Sequence, residues 1–97
     1  MLVVSGAAKA QIEEISVWWA ENRQKAPTLF DDELGAALER LASAPWIGAK
    51  LRVRSRSLRR LVLQRSRYHV YYVVHPAADQ VEIVAIWHTS RGKLPRL

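Results

Sequence analysis

The chain has 97 residues, a formal net charge of +6 and no cysteine. Its length and its 49% hydrophobic content predict one globular domain over residues 1–97. The lack of cysteine excludes disulfides and thiolate metal sites. The apolar run at the N-terminus is too short for a signal peptide or a membrane span, so we expect a cytoplasmic protein without membrane contact.

The charge is divided unevenly along the chain. Residues 1–39 contain seven acidic and three basic residues, a net charge of −4, whereas residues 40–97 contain twelve basic and two acidic residues, a net charge of +10. A basic half of this kind favours an acidic or polyanionic partner. The alternative is that the charge only keeps a small protein in solution.

The first half of the chain predicts a short strand and two amphipathic helices. Residues 2–4 are apolar, and Ser5 is a suitable N-cap for a helix over 7–22. Pro27 favours the start of a second helix, and Pro45 its end. Apolar residues recur at helical spacing in both segments, which predicts an αα-hairpin with one apolar face on each helix. These faces consist of Ala8, Ile12, Ile15 and Trp19 in the first helix and Phe30, Leu34, Ala37, Leu38 and Leu41 in the second.

The four tryptophans are expected to differ in their environments. Trp19 and Trp46 are predicted to lie in the core or at its rim. Trp87 is predicted to close the core at the end of a strand. Trp18 lies on the flank of the first helix's apolar face, so it is the candidate for a partner surface.

The second half of the chain changes to β-strand periodicity. Gly48, in the sequence PWIG, predicts a turn with a positive φ. Four β-rich runs follow, over residues 51–56, 59–65, 68–75 and 81–88. The links are short enough for hairpins only, which predicts an antiparallel meander, and the alternating arginines of the first run are typical of an edge strand. With the helix pair on one face of the sheet, the architecture is α+β.

The short turns also predict which residues meet across the sheet. They place His88 opposite Arg67 or Tyr68, and Arg60 opposite Tyr71. One end of the sheet then collects cations and aromatic rings with no carboxylate nearby. This predicted cluster contains Arg65, Arg67, Tyr68, Trp87 and His88.

Metal and cofactor sites are not expected. His69 and His75 lie on one predicted strand, about 20 Å apart at the rise of a strand, which is too far for both to bind one ion. The sequence has no glycine-rich phosphate loop. We therefore predict neither a metal nor a small-molecule cofactor.

The order of these motifs resembles a known superfamily. The segments QIEEISVWWAEN, LGAALERLASAPWIG, LRRLVLQRSRYHVYYVV and VEIVAIWHTSR follow one another as they do in the RelE/ParE toxins of bacterial type II toxin–antitoxin systems. The pair Trp87-His88 followed by Arg91 is more similar to ParE than to RelE. The resemblance implies a short N-terminal strand and an αα-hairpin on one face of an antiparallel sheet. It also implies a cognate antitoxin, ParD-like or similar, that forms a hetero-oligomer with the toxin.

Similarity to ParE implies inhibition of DNA gyrase by binding, with growth arrest and plasmid stabilisation as the consequences. The basic half of the chain is then the expected surface for the target or the antitoxin. The residues expected there are Arg52, Arg54, Arg56, Arg59, Arg60, Arg65, Arg67, Trp87, His88, Arg91 and Lys93.

Two alternatives remain open. Similarity to RelE implies an endoribonuclease that cleaves messenger RNA on the ribosome. His88 would then act as the acid or base, Arg60 and Arg67 would hold the phosphate, and Tyr68 would stack on a base or donate a proton. This set lacks a second acid–base group, which favours the gyrase function. The other alternative is an inactive member that acts only as an antitoxin-binding module.

Overall fold

The computed structural model describes residues 1–91. Lys93, one of the predicted contact residues, lies outside this range. The described elements are β1 (Leu2–Val4), α1 (Gly6–Asn22), α2 (Leu29–Ser43), β2 (Ala49–Val53), β3 (Arg56–Leu63), β4 (Tyr68–His75), a 3₁₀ turn (Pro76–Ala78) and β5 (Gln80–His88). Neither described helix is long and apolar enough to cross a membrane.

The strands form one sheet with the order β1-β5-β4-β3-β2. The four strands β2 to β5 are antiparallel neighbours, and β2 lies at the sheet edge. Both features were predicted, and the predicted α+β fold is confirmed. β1 pairs with β5 in parallel, with Leu2 opposite Val81. The residues between the two strands, which include the helical hairpin, supply the long connection that a parallel pair requires.

The hairpin register agrees with the predicted pairing. His88 lies opposite Tyr68, and Arg60 lies opposite Tyr71. The register shifts by one residue in β5, since Ala85 pairs with Tyr71 but Ile83 pairs with Tyr72. The extra residue, Val84, forms a β-bulge.

The helices cover one face of the sheet. Ser5 caps α1 as predicted, because its Oγ accepts a hydrogen bond from the Ala8 amide at 3.1 Å. Trp19 is 8% exposed and belongs to the core, which confirms its prediction. The core between helices and sheet also contains Ala8, Phe30, Leu34, Ala37, Leu41, Leu63, Tyr68, Val70, Tyr72, Val81, Ile83 and Ile86.

The prediction for Trp46 is wrong, since this residue is 55% exposed. The chain leaves the core after α2, and the indole ring packs under the guanidinium group of Arg59 at 5.0 Å. Arg59 also donates to the carbonyl oxygens of Trp46 and Gly48 at 2.9 and 2.7 Å. An arginine therefore covers this tryptophan in place of the core.

Gly48 is needed for close packing and not for a positive φ, because no described glycine has a positive φ. Its amide donates to the Tyr72 hydroxyl at 2.8 Å. A Cβ atom at Gly48 would lie 2.5 Å from that hydroxyl and 3.0 Å from the carbonyl oxygen of Arg60. The space beside this backbone is therefore closed to any side chain.

Gly48→Ala is expected to lower the free energy of unfolding by about 1–3 kcal/mol, because the added methyl group overpacks the site. Gly35→Ala is the matched control, since nothing lies within 4 Å of a Cβ atom at this exposed position of α2. This change should stabilise the protein by about 0.5–1 kcal/mol through helix propensity. Urea unfolding checks both values, and equal effects of the two substitutions would contradict the packing at Gly48.

Candidate functional site: a cationic and aromatic cleft

A cleft opens between α1 and the end of the sheet where β3 turns into β4 and where β5 ends. Its volume is about 730 Å³. On the sheet side it is lined by Arg65, Ser66, Arg67, Tyr68, Ile86, Trp87, His88 and Arg91. On the helix side it is lined by Gln11, Glu14, Ile15, Trp18, Trp19 and Arg23. The predicted clustering of cations and aromatic rings at this end of the sheet is confirmed.

The β3–β4 turn presents Arg65 and Arg67 to the cleft. Arg67 has a φ of 71°, in the left-handed region, and its amide donates to the Leu63 carbonyl at 2.8 Å. Ser66 is only 2% exposed, so the turn is fixed on its inner side. The two arginine side chains on either side of Ser66 are exposed.

The carboxylate of Glu33, in α2, anchors this turn. Its carboxylate accepts hydrogen bonds from the amides of Arg65 and Ser66 at 2.7 and 2.8 Å and from the Ser66 hydroxyl at 2.7 Å. Burial favours the neutral acid, but these hydrogen bonds and the Arg65 charge outweigh it and hold the pKa of Glu33 below its usual value of 4.5. The expectation of no carboxylate near the cluster is therefore wrong: Glu33 lies under the turn, and Glu14 lines the cleft.

Tyr68 is part of the core as well as of the cleft wall. It is 9% exposed, and its hydroxyl accepts a hydrogen bond from Nε1 of Trp19 at 3.3 Å. Its ring meets Phe30 edge-on at 5.1 Å and His88 at 4.9 Å. These contacts hold Tyr68 in one position and connect the cleft to the core.

His88 is held by the residue that follows the strand. Its Nδ1 lies 2.7 Å from the Ser90 hydroxyl and accepts a hydrogen bond from the Ser90 amide at 3.1 Å. An amide N–H can only donate, so Nδ1 carries no proton in this arrangement, and the proton of the neutral ring lies on Nε2. The interaction of Nδ1 with Ser90 orients the ring towards Tyr68.

Arg60 does not lie with the other members of the predicted nuclease set. It pairs with Tyr71 in β4 and with Ala49 in β2. Since side chains alternate between faces, a residue opposite Tyr71 lies on the other face of the sheet from Tyr68. There Arg60 lies near His69, and burial together with the Arg60 charge lowers the pKa of His69 below 6.5. The predicted grouping of Arg60 with Arg67, Tyr68 and His88 is therefore wrong.

The remaining predicted arginines lie elsewhere. Arg52, Arg54 and Arg56 are exposed on the β2–β3 hairpin and do not line the cleft. Arg59 binds the backbone before β2, as described above. The basic half of the chain therefore presents two separate cationic surfaces, the cleft and the β2–β3 hairpin.

Sequence reasoning did not place any residue of α1 in the cleft. Arg23 follows Trp19 by four residues, a spacing that brings side chains together on a helix, and its guanidinium group lies 5.9 Å from the centre of the Trp19 ring. Its guanidinium group lies 4.8 Å from the centre of the Trp18 ring, and that of Arg91 lies 4.2 Å from the Trp87 ring. Trp87 is half-buried and lines the cleft, so it does more than close the core.

Comparison with known proteins identifies the family of the chain. The family model described as ParE toxin of type II toxin-antitoxin system, parDE, matches residues 2–92. No curated protein matches the chain. The matched range contains every described strand and helix and all the residues that line the cleft. The chain thus belongs to the ParE toxin family of type II toxin–antitoxin systems.

Proposed function

We propose that the chain inhibits DNA gyrase by binding and without covalent chemistry. A cognate antitoxin, ParD-like or similar, would neutralise it in a cytoplasmic hetero-oligomer, and the free toxin would arrest growth and stabilise a plasmid that encodes the pair. Membership of the ParE toxin family supports the toxin and antitoxin parts of this proposal. The gyrase target is supported by the composition of the cleft.

The proposal rests on the kinds of side chain that line the cleft. Most of them are suited to binding a partner, and few are suited to transferring a proton. Four arginines and several aromatic rings line it. The hydroxyl of Tyr68 accepts a hydrogen bond from Trp19, and Nδ1 of His88 interacts with Ser90. Arg60, which the nuclease mechanism needs at the phosphate, lies on the opposite face of the sheet.

The two cationic surfaces suit two acidic partners. The arginines of the β2–β3 hairpin are exposed, and the ion pair among residues 1–91 is that of His75 with Glu82. Within the described part of the chain, no carboxylate forms an ion pair with an arginine of either surface, although Glu33 lies near Arg65 and Glu14 lines the cleft. Complementary negative charge on the antitoxin or the target would supply both rapid association and specificity.

The endoribonuclease remains the second candidate because of Glu14. This carboxylate lines the same cleft as His88 and Arg67. It is the second acid–base group that the sequence did not reveal. A carboxylate and an imidazole on facing walls are a pair that could transfer protons to and from a ribose hydroxyl.

Induction of the chain without its antitoxin distinguishes these functions. Gyrase inhibition predicts loss of plasmid supercoiling and a DNA-damage response before protein synthesis declines. His88→Phe, which keeps an aromatic ring against Tyr68, and Glu14→Gln should both still arrest growth, because binding needs no proton transfer. Plasmid topology on gels and incorporation of labelled amino acids are the measurements.

Other outcomes of the same experiment contradict the proposal. Immediate arrest of translation with cut transcripts, abolished by His88→Phe or by Glu14→Gln, would establish the endoribonuclease. Absence of toxicity at every level of expression, with the folded protein present and able to bind its antitoxin, would show an inactive antitoxin-binding module.

A further inference from the structure

We propose that the hairpin formed by β2 and β3 binds double-stranded DNA, with its basic side chains on the phosphates that border one groove. This hairpin is the second cationic surface described above, and its turn lies at the opposite end of β3 from the cleft. This goes beyond inhibition of gyrase by protein contact, because the ligand is a different macromolecule and the cleft takes no part in binding it.

The first supporting feature is positive charge that the hairpin itself does not balance. Residues 49–63 contain six basic and no acidic residues. Four of the basic side chains are exposed, those of Lys50, Arg52, Arg54 and Arg56. Within residues 1–91, no carboxylate forms an ion pair with any of these four. Cations in this state can bind the consecutive phosphates of a polyanion and release its counterions.

The second feature is the backbone conformation of Arg54. Its φ is 57°, in the left-handed region, which glycine adopts freely and which costs energy for a residue with a side chain. Glycine or asparagine is therefore the usual residue at such a position of a hairpin turn. Protection of the sheet edge does not require this arginine, because Lys50 and Arg52 already place charge on β2. A costly residue that the fold does not need points to a function for its charge.

The third feature is that the hairpin is a preformed ribbon. Val53 and Leu58 are only 8% and 3% exposed, so the two strands are packed and do not form a free loop. No residue from 49 to 60 belongs to the described core under the helices, so this part of the ribbon extends beyond the helix pair. Paired strands lie about 4.8 Å apart. The major groove of DNA is about 12 Å wide and admits a two-stranded ribbon.

The composition of the ribbon favours a duplex over a single strand. Proteins that bind single strands combine cations with aromatic rings on which the bases stack. Neither β2 nor β3 contains an aromatic residue. The nearby ring of Trp46 lies under the Arg59 guanidinium group at 5.0 Å. The hairpin therefore offers contacts to phosphates and no open surface for unpaired bases.

The distribution of the charges favours DNA over an acidic peptide. A peptide could add a strand to β2, which is at the edge of the sheet. Such a strand would lie beside Lys50 and Arg52. Arg54 lies in the turn, and Arg56 lies on β3, one strand further into the sheet. Charges on both strands and on the turn match a broad polyanion better than one added strand.

The test uses the purified full-length chain and short labelled DNA of mixed sequence. We expect fluorescence anisotropy to show tighter binding of the duplex than of either of its separated strands. If the four exposed cations each contact a phosphate, the logarithm of the affinity should fall against the logarithm of salt with a slope of about −3 to −4.

Arg54→Gly separates a role in DNA binding from a role in the fold. Glycine suits the positive φ, so the urea midpoint should equal or slightly exceed that of the wild type. The affinity for the duplex should nevertheless fall several-fold, with a salt slope less steep by about 0.9. Arg67→Gly is the matched control, because Arg67 is also exposed and has a φ of 71° but lies in the other turn. It should leave the salt slope for the duplex almost unchanged.

A second pair of substitutions tests the strand itself. Arg52→Gln on β2 and Arg40→Gln on α2 each remove one exposed positive charge. Arg52→Gln should weaken duplex binding several-fold, and Arg40→Gln by less than about twofold. Circular dichroism confirms that each variant is folded.

Three results would overturn the proposal. The first is binding of single strands that is as tight as binding of the duplex. The second is an equal loss of affinity in the hairpin variants and their controls, which would mean diffuse attraction to a basic protein. The third is binding of a glutamate-rich peptide that depends on Arg52 and Arg54 while the duplex does not bind, which would make the hairpin a peptide site. None of these measurements involves gyrase, so the proposed function can fail or hold independently.

Discussion

Trp19→Ala is expected to lower the free energy of unfolding by about 3–5 kcal/mol, the usual cost of removing a large aromatic side chain from a core. Trp19 is 8% exposed and packs in the cluster between the helices and the sheet. The substitution would also remove the donor to the Tyr68 hydroxyl. Since domains of this size are stable by only about 5–15 kcal/mol, the loss would shift the urea midpoint by a large fraction of its value.

The neighbouring residue supplies the control for this prediction. Trp18 is 42% exposed, so Trp18→Ala should change the free energy of unfolding by about 1 kcal/mol or less. Trp19→Phe should fall between the two, because it keeps the apolar ring and loses the N–H group. Similar losses for Trp18→Ala and Trp19→Ala would show that α1 faces the sheet differently.

Glu33→Gln is expected to lower the free energy of unfolding by roughly 1–3 kcal/mol at neutral pH, because the carboxylate accepts hydrogen bonds from two amides and a hydroxyl of the β3–β4 turn. A glutamine has one acceptor oxygen, and its NH₂ group would oppose one of these donors. The turn that presents Arg65 and Arg67 would lose its anchor, so binding at the cleft should weaken as well.

The effect of Glu33 should depend on pH in a defined direction. Its pKa is lowered in the folded protein, so its contribution is present above the pKa of the unfolded chain and is lost as the pH falls through the folded value, below about 4.5. The difference between wild type and Glu33→Gln should therefore shrink in acid. Urea unfolding at neutral and acidic pH measures it, with Glu39→Gln, an exposed position on the same helix, as control. A difference that stays constant with pH would contradict the assignment.

The fold could be predicted because its determinants are local. Apolar residues at helical spacing define α1 and α2, and turns of a few residues allow only hairpins between β2, β3, β4 and β5. The same short turns define the register to within one residue: counting places His88 opposite Arg67 or Tyr68, and the bulge at Val84 makes Tyr68 the partner. The parallel pairing of β1 depends on how the helical hairpin returns to the sheet, and no local pattern encodes that.

The candidate site could be predicted only in part. Strand pairing brings Arg67 and His88 together, and this was visible in the sequence. The residues of α1 that line the cleft could not be predicted in this way. The position of a helix over the edge of a sheet depends on tertiary packing, which the spacing of residues in the chain does not describe. The contact between Glu33 and the β3–β4 turn joins residues far apart in the chain. The error for Arg60 could have been avoided from the sequence. Its predicted partner, Tyr71, lies three residues after Tyr68 in the same strand, so Arg60 had to lie on the opposite face of the sheet from Tyr68.

The bulge at Val84 has a consequence for how relatives of this chain should be aligned. β5 has nine residues and β4 has eight, and the extra residue lets Ile83 and Ile86, which are three positions apart, lie on the same face. A homologue that lacks one residue here would keep every later side chain on its present face if the gap is placed at Val84. A gap placed further along β5 would exchange core and surface positions and assign the wrong residues to the cleft.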